Sequence, residues 1–149
     1  MKSGKCLAVN LESRTISSSE IDEEIMKQYP GGRGLGAHLY SQNPQRADNP
    51  DNQVFIVPGA LTGSSFPSAS RSNIVSSSAH TGSMMSSSFG GFFGAYLKSQ
   101  GIDALELTGV ADDWVYLVID GGSVRIEDAR TLAGKSPTDV REIVQKLCK

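Results

Sequence analysis

Hydrophobic residues alternate with polar ones in short runs along much of the chain, a pattern typical of half-buried strands. The predicted strands are Lys5–Leu11, Arg14–Ser18, Val54–Val57, Asn73–Ser77, Asp103–Thr108, Trp114–Ile119 and Val124–Glu127. Helical signals mark four other segments: Asp22–Tyr29, Arg33–Tyr40, Phe92–Gln100 and Pro137–Leu147. The pattern therefore predicts an α+β domain, built on a mixed β-sheet with a few helices.

The boundaries of these helices carry the expected end signals. Acidic residues open the first helix and complement the positive end of its dipole, and Pro30 ends it. Gly101 provides a C-terminal cap for the third helix, and Pro137 lies in the first turn of the last. The last helix is amphipathic, since four apolar residues share one face: Val140, Ile143, Val144 and Leu147.

The segment from Thr62 to Ser88 is the ambiguous part of the pattern, because serine, glycine and threonine crowd around one short predicted strand. Such a composition is typical of a flexible linker. The segment nevertheless contains the apolar anchors of an ordered structure: Ile74, Val75, Met84 and Met85. Both interpretations stay open at this point.

The length, charge and cysteine content of the chain exclude several classes of protein. With 149 residues, we expect a single domain spanning 1–149. A formal net charge of −2 argues against nucleic acid or an acidic membrane surface as a partner. The sequence contains no apolar run of membrane-spanning length and no signal peptide, so we expect a soluble cytoplasmic protein. Cys6 and Cys148 lie at opposite ends and form neither a disulfide framework nor a C-x-x-C cluster site.

The familiar catalytic and phosphate-binding motifs that this sequence resembles are each incomplete. Gly134–Ser136 resembles the end of a phosphate-binding P-loop, but Ala129 occupies the position of its first glycine. The glycines of 31–36 lack dinucleotide-binding spacing and follow a predicted helix where such a site needs a strand. His38 and His80 have no partner acid or thiol at a catalytic spacing. We therefore expect no catalytic residue in this chain.

A glycine pair, Gly90–Gly91, directly precedes the predicted third helix. Without a Cβ atom, glycine lets backbone come close to a neighbour or a ligand. The pair could equally be a tight connection into the helix. We expect the helix to begin within Gly90–Phe93, with Phe92 or Phe93 buried beneath a turn at 86–88. The sequence alone does not choose between these readings.

Several segments together resemble the N-terminal domain of the tungsten-dependent aldehyde ferredoxin oxidoreductases. They are GGRGLGAHLY, VFIVPGALTGSSFPSASRSNIVSSS, HTGSMMSSSFGGFFGAYLKSQGIDALELTGVADDWVYLVID and VRIEDARTLAGKSPTD, in the family's order and at compatible spacing. In that family the domain is a β-sheet base for a bis-pterin tungsten or molybdenum cofactor, tungstopterin or molybdopterin, whose phosphates are bridged by magnesium. The resemblance covers almost the whole chain.

The resemblance implies four cofactor-binding residues: Arg71, Ser88, Gly90 and Gly91. Arg71 matches the family's pterin-site arginine, and a planar guanidinium is able to donate to two phosphate oxygens at once. The glycines would admit the pterin and its phosphate. Ser88 stands where the family typically has asparagine near the magnesium, and serine lacks the amide oxygen as a metal ligand.

Family membership implies a part of an enzyme that oxidises aldehydes to carboxylic acids, with ferredoxin as the electron acceptor. This chain would cradle the cofactor as a fragment or a separate subunit. A companion oxidoreductase chain would supply the iron–sulfur cluster, the second pterin site and the substrate pocket. The alternative is a cofactor-free binding or structural module, with self-association into a homodimer as one way to cover its apolar surface.

Overall fold

The computed structural model describes residues 3–147, which form eight strands and four helices. The strands are β1 (Gly4–Asn10), β2 (Ile16–Ile21), β3 (Val54–Pro58), β4 (Arg71–Ser77), β5 (Met84–Gly90), β6 (Ala104–Thr108), β7 (Val115–Asp120) and β8 (Ser123–Asp128). The helices are α1 (Glu23–Gln28), α2 (Gly32–Ser41), α3 (Phe93–Ser99) and α4 (Pro137–Leu147). This arrangement confirms the predicted α+β class.

Six strands form one mixed sheet in the order β2-β1-β6-β3-β4-β5. The β1–β6 pair is parallel, with Leu7 opposite Leu105, and the other neighbours are antiparallel. The last two strands, β7 and β8, form a separate antiparallel hairpin.

One face of the six-stranded sheet is covered by α1 and α2. Leu35 of α2 is fully buried there, beside Val57 of β3 and Val75 of β4. An ideal Cβ atom at Gly36 would lie 2.7 Å from Val75 Cγ2, so glycine at this position lets α2 approach β4 closely. The helices thus complete a closed apolar core on this face.

The opposite face is covered by α3 and the β7–β8 hairpin. Leu97 and Ile102 are buried against Leu7, Val9 and Leu105 of the sheet. The apolar residues of the hairpin pack against this cluster but stay half-buried: Leu117, Ile119, Val124 and Ile126. This second layer covers its face less completely than the helices cover theirs.

Of the two interpretations left open for the segment from Thr62 to Ser88, the ordered one is correct, because the segment contains β4 and most of its antiparallel partner β5. The expected turn at 86–88 is wrong, since these residues belong to β5. Phe92 and Phe93 are not buried beneath it, since they are 76% and 44% exposed. The strand β5 escaped prediction because its residues, MMSSSFG, are largely exposed and lack an apolar face.

None of the four helices, over the described residues 3–147, has the length and apolar character needed to cross a membrane. The amphipathic helix α4 matches its predicted bounds. Its side chains are exposed or half-buried as far as Lys146, so it contributes no fully buried residue to the core over that range.

Candidate functional site

The antiparallel pairing of β4 with β5 brings the predicted site residues to one end of the sheet. Arg71 lies opposite Gly90, and Asn73 lies opposite Ser88. Opposed residues of an antiparallel pair share a face of the sheet, as do positions two apart along a strand. All four residues therefore lie on the face that carries α2.

A polar group at this end joins the two strands to α2. The Ser88 hydroxyl donates to Asn73 Oδ1 at 2.8 Å. An ideal Cβ atom at Gly32 would lie 3.3 Å from Asn73 Nδ2, so the start of α2 lies directly over Asn73. Gly31, the N-cap residue of α2, has no side chain to cap the first-turn N–H groups. The amide of Asn73 and this helix start thus offer hydrogen-bond donors on one surface.

The loop before β4 fixes the backbone around Arg71. The carbonyl oxygen of Arg71 accepts from Gly59 N at 2.8 Å and from Thr62 Oγ1 at 2.5 Å. The Ser70 hydroxyl donates to the carbonyl oxygen of Gly91. The first two bonds hold Arg71 to the segment that follows β3, and the third connects the residue before β4 to the residue after β5.

The side chain of Arg71 is exposed and uncommitted. Among residues 3–147 its guanidinium makes no hydrogen bond or ion pair, as is also true of Arg14, Arg33 and Arg141, whereas Arg46, Arg125 and Arg130 contact carboxylates. Arg71 differs from the other free arginines in its place opposite Gly90. A fixed backbone with a free guanidinium is suited to binding an anion from outside the chain.

The two glycines of the site differ in the space around them. An ideal Cβ atom at Gly90 would lie 3.5 Å from the carbonyl oxygen of Ser70, in ordinary contact. Gly91 has a φ of +108° and no atom within 4 Å of such a Cβ. The closest protein approach occurs instead at buried Gly94, which packs against Ser72 and Thr62. Gly91 thus faces open space, and its positive φ favours glycine.

Among residues 3–147, no group of three or more His, Cys, Asp and Glu residues is placed to hold a metal ion. The His38 ring stacks on Tyr29 at 4.9 Å between centroids. Burial, with a smaller contribution from the charge of Glu106, raises the pKa of Cys6 to about 12, so its thiol is unreactive at neutral pH. Cys148 lies outside the described residues.

Sequence reasoning missed Asn73, Gly32 and Ser70 as members of this surface. The sequence contains a turn signal, Thr81–Gly82, between the segments that form β4 and β5. In the structure Gly82 has a φ of +68°, as a turn glycine often does. Pairing the two runs as a hairpin would have brought Asn73 near Ser88. The contact with α2 comes from tertiary packing and has no local signal.

Comparisons with known proteins agree with this fold. The family described as aldehyde ferredoxin oxidoreductase, N-terminal domain, matches residues 6–149. The tungsten-containing aldehyde ferredoxin oxidoreductases of Thermococcus kodakarensis and Pyrococcus furiosus are 37% and 35% identical over 146 residues. Each match covers 96% of this chain and 24% of the relative.

A solved structure and a more distant relative extend the comparison. The active site complex BamBC of benzoyl coenzyme A reductase, solved with 1,5-dienoyl-CoA, superposes with a TM-score of 0.89 at 29% identity, over 97% of this chain and 23% of that one. The aliphatic sulfonate oxidoreductase, WOR-like subunit, of Pyrococcus furiosus is 30% identical over 149 residues, 96% of this chain and 24% of the relative.

This chain therefore spans about a quarter of the length of the curated relatives it matches. The match over nearly every residue, together with the shared fold, decides the family. The chain belongs to the aldehyde ferredoxin oxidoreductase family, of which it represents the N-terminal domain.

Proposed function

We propose that this chain cradles a bis-pterin tungsten or molybdenum cofactor within an aldehyde oxidoreductase. The surface at the joined end of β4 and β5 would bind the pterin and its phosphate through Arg71, Ser88, Gly90 and Gly91. The observation that carries this proposal is the free Arg71 guanidinium on a fixed backbone, opposite Gly90 and two residues from the Ser88–Asn73 pair. The names of the tungsten-containing relatives favour tungsten of the two metals.

The residues present fit a phosphate-bearing group. Arg71 supplies a positive charge and paired donors, and the amide of Asn73 supplies further N–H groups. The space beside Gly91 is open within 4 Å of an ideal Cβ position, so a ligand atom could approach the backbone there without displacing protein atoms. The Ser88 hydroxyl already donates its hydrogen to Asn73. Its oxygen would still accept a hydrogen bond from a water molecule bound to magnesium, but Ser88 alone would not provide a full set of metal ligands.

When bound, the cofactor would supply the two-electron oxidation of an aldehyde with water to a carboxylic acid, releasing two protons and passing the two electrons one at a time to ferredoxin. The residues of this chain would bind and orient the cofactor, and none would transfer a proton to the substrate. The iron–sulfur cluster and the substrate pocket would belong to the companion chain or the remainder of a longer polypeptide.

The experiment compares the chain with its variants Arg71→Ala and Arg71→Lys in the complex assembled with the rest of the oxidoreductase. Tungsten, molybdenum and pterin content are measured after identical purification. An arginine–phosphate pair contributes roughly 1.5–3 kcal/mol, so Arg71→Ala should weaken cofactor retention about tenfold to a hundredfold. Arg71→Lys should recover part of the loss, because an ammonium keeps the charge but lacks the planar fork.

The matched control is Arg141→Ala, which removes the same charge from an exposed position on α4. It should leave cofactor content unchanged. Equal cofactor content in all four proteins would contradict the proposal and favour a cofactor-free module.

A further inference from the structure

Helix α2 runs along strand β4 and begins at the end of the sheet that carries Arg71. At its start, an ideal Cβ atom at Gly32 would lie 3.3 Å from Asn73 Nδ2. One turn later, an ideal Cβ atom at Gly36 would lie 2.7 Å from Val75 Cγ2. Four helical residues rise about 6 Å, and two strand residues span nearly the same length, so α2 and β4 run almost parallel. The first turn of α2 therefore lies beside the candidate cofactor surface.

The two flanks of α2 face different neighbours. Gly34 and His38 lie on the flank toward α1, because Tyr29 at the end of α1 is 3.6 Å from an ideal Gly34 Cβ and stacks on the His38 ring. Met26 places α1 over β1, since its Sδ is 2.7 Å from an ideal Cβ at Gly4. In the sheet order, β1 and β5 lie on opposite sides of the strands beneath α2, which are β3 and β4. The other flank of α2 therefore faces β5.

Arg33 lies on the flank that faces β5. Successive helical residues are rotated by about 100°, so Arg33 lies about 100° from the sheet-facing Gly32, on the side away from His38. The Cα–Cβ bonds of a helix tilt toward its N-terminus, which here is the Arg71 end of the sheet. The Cα–Cβ bond of Arg33, an exposed residue, thus tilts toward the end of β5 that holds Gly90.

The charge of Arg33 is uncompensated within the described part of the chain. Among residues 3–147 its guanidinium makes no hydrogen bond or ion pair, and the first turn of α2 contains no acidic residue. A cation in the first turn lies at the positive end of the helix dipole, where it is unfavourable. Arg71 is also unpaired, so two free guanidinium groups border one surface. An anion between them would be attracted to both.

We propose that Arg33 is a second phosphate-binding residue of this surface and shares one phosphate group with Arg71. The ligand class is a phosphate monoester, which carries close to two negative charges at neutral pH and offers three acceptor oxygens. Two guanidinium groups are therefore able to donate to it from different sides. The inference rests on the proposed function, because the phosphate would be that of the pterin cofactor. It assigns to α2 a part in binding as well as in packing.

The test measures the tungsten, molybdenum and pterin retained by the complex assembled with the rest of the oxidoreductase. Arg33→Ala should lower retention about tenfold, while Arg141→Ala, which removes the same charge from α4, should not. Arg33→Lys should retain more cofactor than Arg33→Gln, because lysine keeps the positive charge and glutamine does not. The cofactor-free chain with Arg33→Ala should unfold at the same temperature as the parent or slightly above it, since a cation is removed from the start of a helix.

The variants distinguish failure of the inference from failure of the proposed function. If Arg71→Ala lowers retention and Arg33→Ala does not, the inference is wrong and the proposed function stands. If neither variant lowers retention, both are wrong. Equal retention by Arg33→Lys and Arg33→Gln would overturn the inference, because the charge of Arg33 would then not matter. A cofactor-free Arg33→Ala chain that unfolds well below Arg141→Ala would also overturn it, since Arg33 would then support the fold.

Discussion

The two faces of the six-stranded sheet differ in how completely their apolar side chains are buried. On the helix-covered face, Leu35, Val57 and Val75 are fully buried. On the other face, the hairpin residues Leu117 and Ile119 stay half-buried, and a groove remains beside them. The first face is completed by residues of this chain, whereas the second retains exposed apolar surface.

This difference implies that the two faces contribute unequally to the stability of the isolated domain. Apolar surface removed from water stabilises the fold by about 25 cal/mol per Å², so the closed face should contribute most of the folding free energy. The open face should contribute less to the isolated chain and more to a complex. The candidate cofactor surface lies at the edge of the closed face, where a rigid support positions Arg71 and Ser88.

The largest expected effect on stability comes from shortening one leucine side chain on each face to alanine. Leu35→Ala should lower the free energy of unfolding by about 3–5 kcal/mol, because it leaves a cavity in a region that has no solvent access. Leu117→Ala should cost less than about 2 kcal/mol, since its surroundings are already open. Urea unfolding followed by circular dichroism measures both, and equal losses would refute the distinction between the faces.

A second comparison uses two glycines only three residues apart. Gly94→Ala inserts a methyl group against Ser72 and Thr62 in a buried site and should cost about 1–3 kcal/mol. Gly91→Ala meets no atom, so its cost is limited to backbone strain at a φ of +108°, about 1–3 kcal/mol. Thermal unfolding measures both losses. A loss at Gly91 well above about 3 kcal/mol would show that the space beside Gly91 is not open.

The same contrast explains how much of the molecule the sequence could predict. Segments with an apolar period, such as α2 and β3, were located within one or two residues because one face of each is buried. The edge strand β5 gave no such signal, since its serines are exposed and its pairing with β4 depends on contacts distant in sequence. Arg71, Ser88, Gly90 and Gly91 came from the family resemblance, while Asn73 and Gly32 required the packing of α2.

The pH dependence of stability tests whether water reaches the closed face of the sheet. Burial raises the pKa of Cys6 from an ordinary value of 9.0 to about 12, so the folded chain keeps its thiol proton where the unfolded chain loses it. Stability from this group is therefore complete below pH 9 and falls between about pH 9 and pH 12, by about 1.4 kcal/mol per pH unit.

Other residues also titrate in this range, so the measurement is the difference between the parent chain and Cys6→Ala, with Cys148→Ser in both. Urea unfolding at pH 8, 9 and 10 should show the difference growing in favour of Cys6→Ala. A difference that is constant with pH would indicate that water reaches the thiol.

The smallest expected effect compares the starts of two helices. Asp22 caps α1, where its Oδ1 accepts from Glu24 N at 2.7 Å, and α1 carries the buried Met26 into the closed core. Ser136 caps α4, where its hydroxyl accepts from Asp139 N at 3.2 Å, but α4 has no buried side chain as far as Lys146. Losing an N-cap costs about 1 kcal/mol of helix stability.

That loss should reach the global unfolding transition only where the helix is part of the core. Asp22→Ala should therefore lower the free energy of unfolding by about 1 kcal/mol. Ser136→Ala should leave it nearly unchanged and should instead speed hydrogen exchange locally within α4. Equal losses of global stability for the two variants would mean that α4 folds as one unit with the closed core, and would extend that core beyond the helix-covered face.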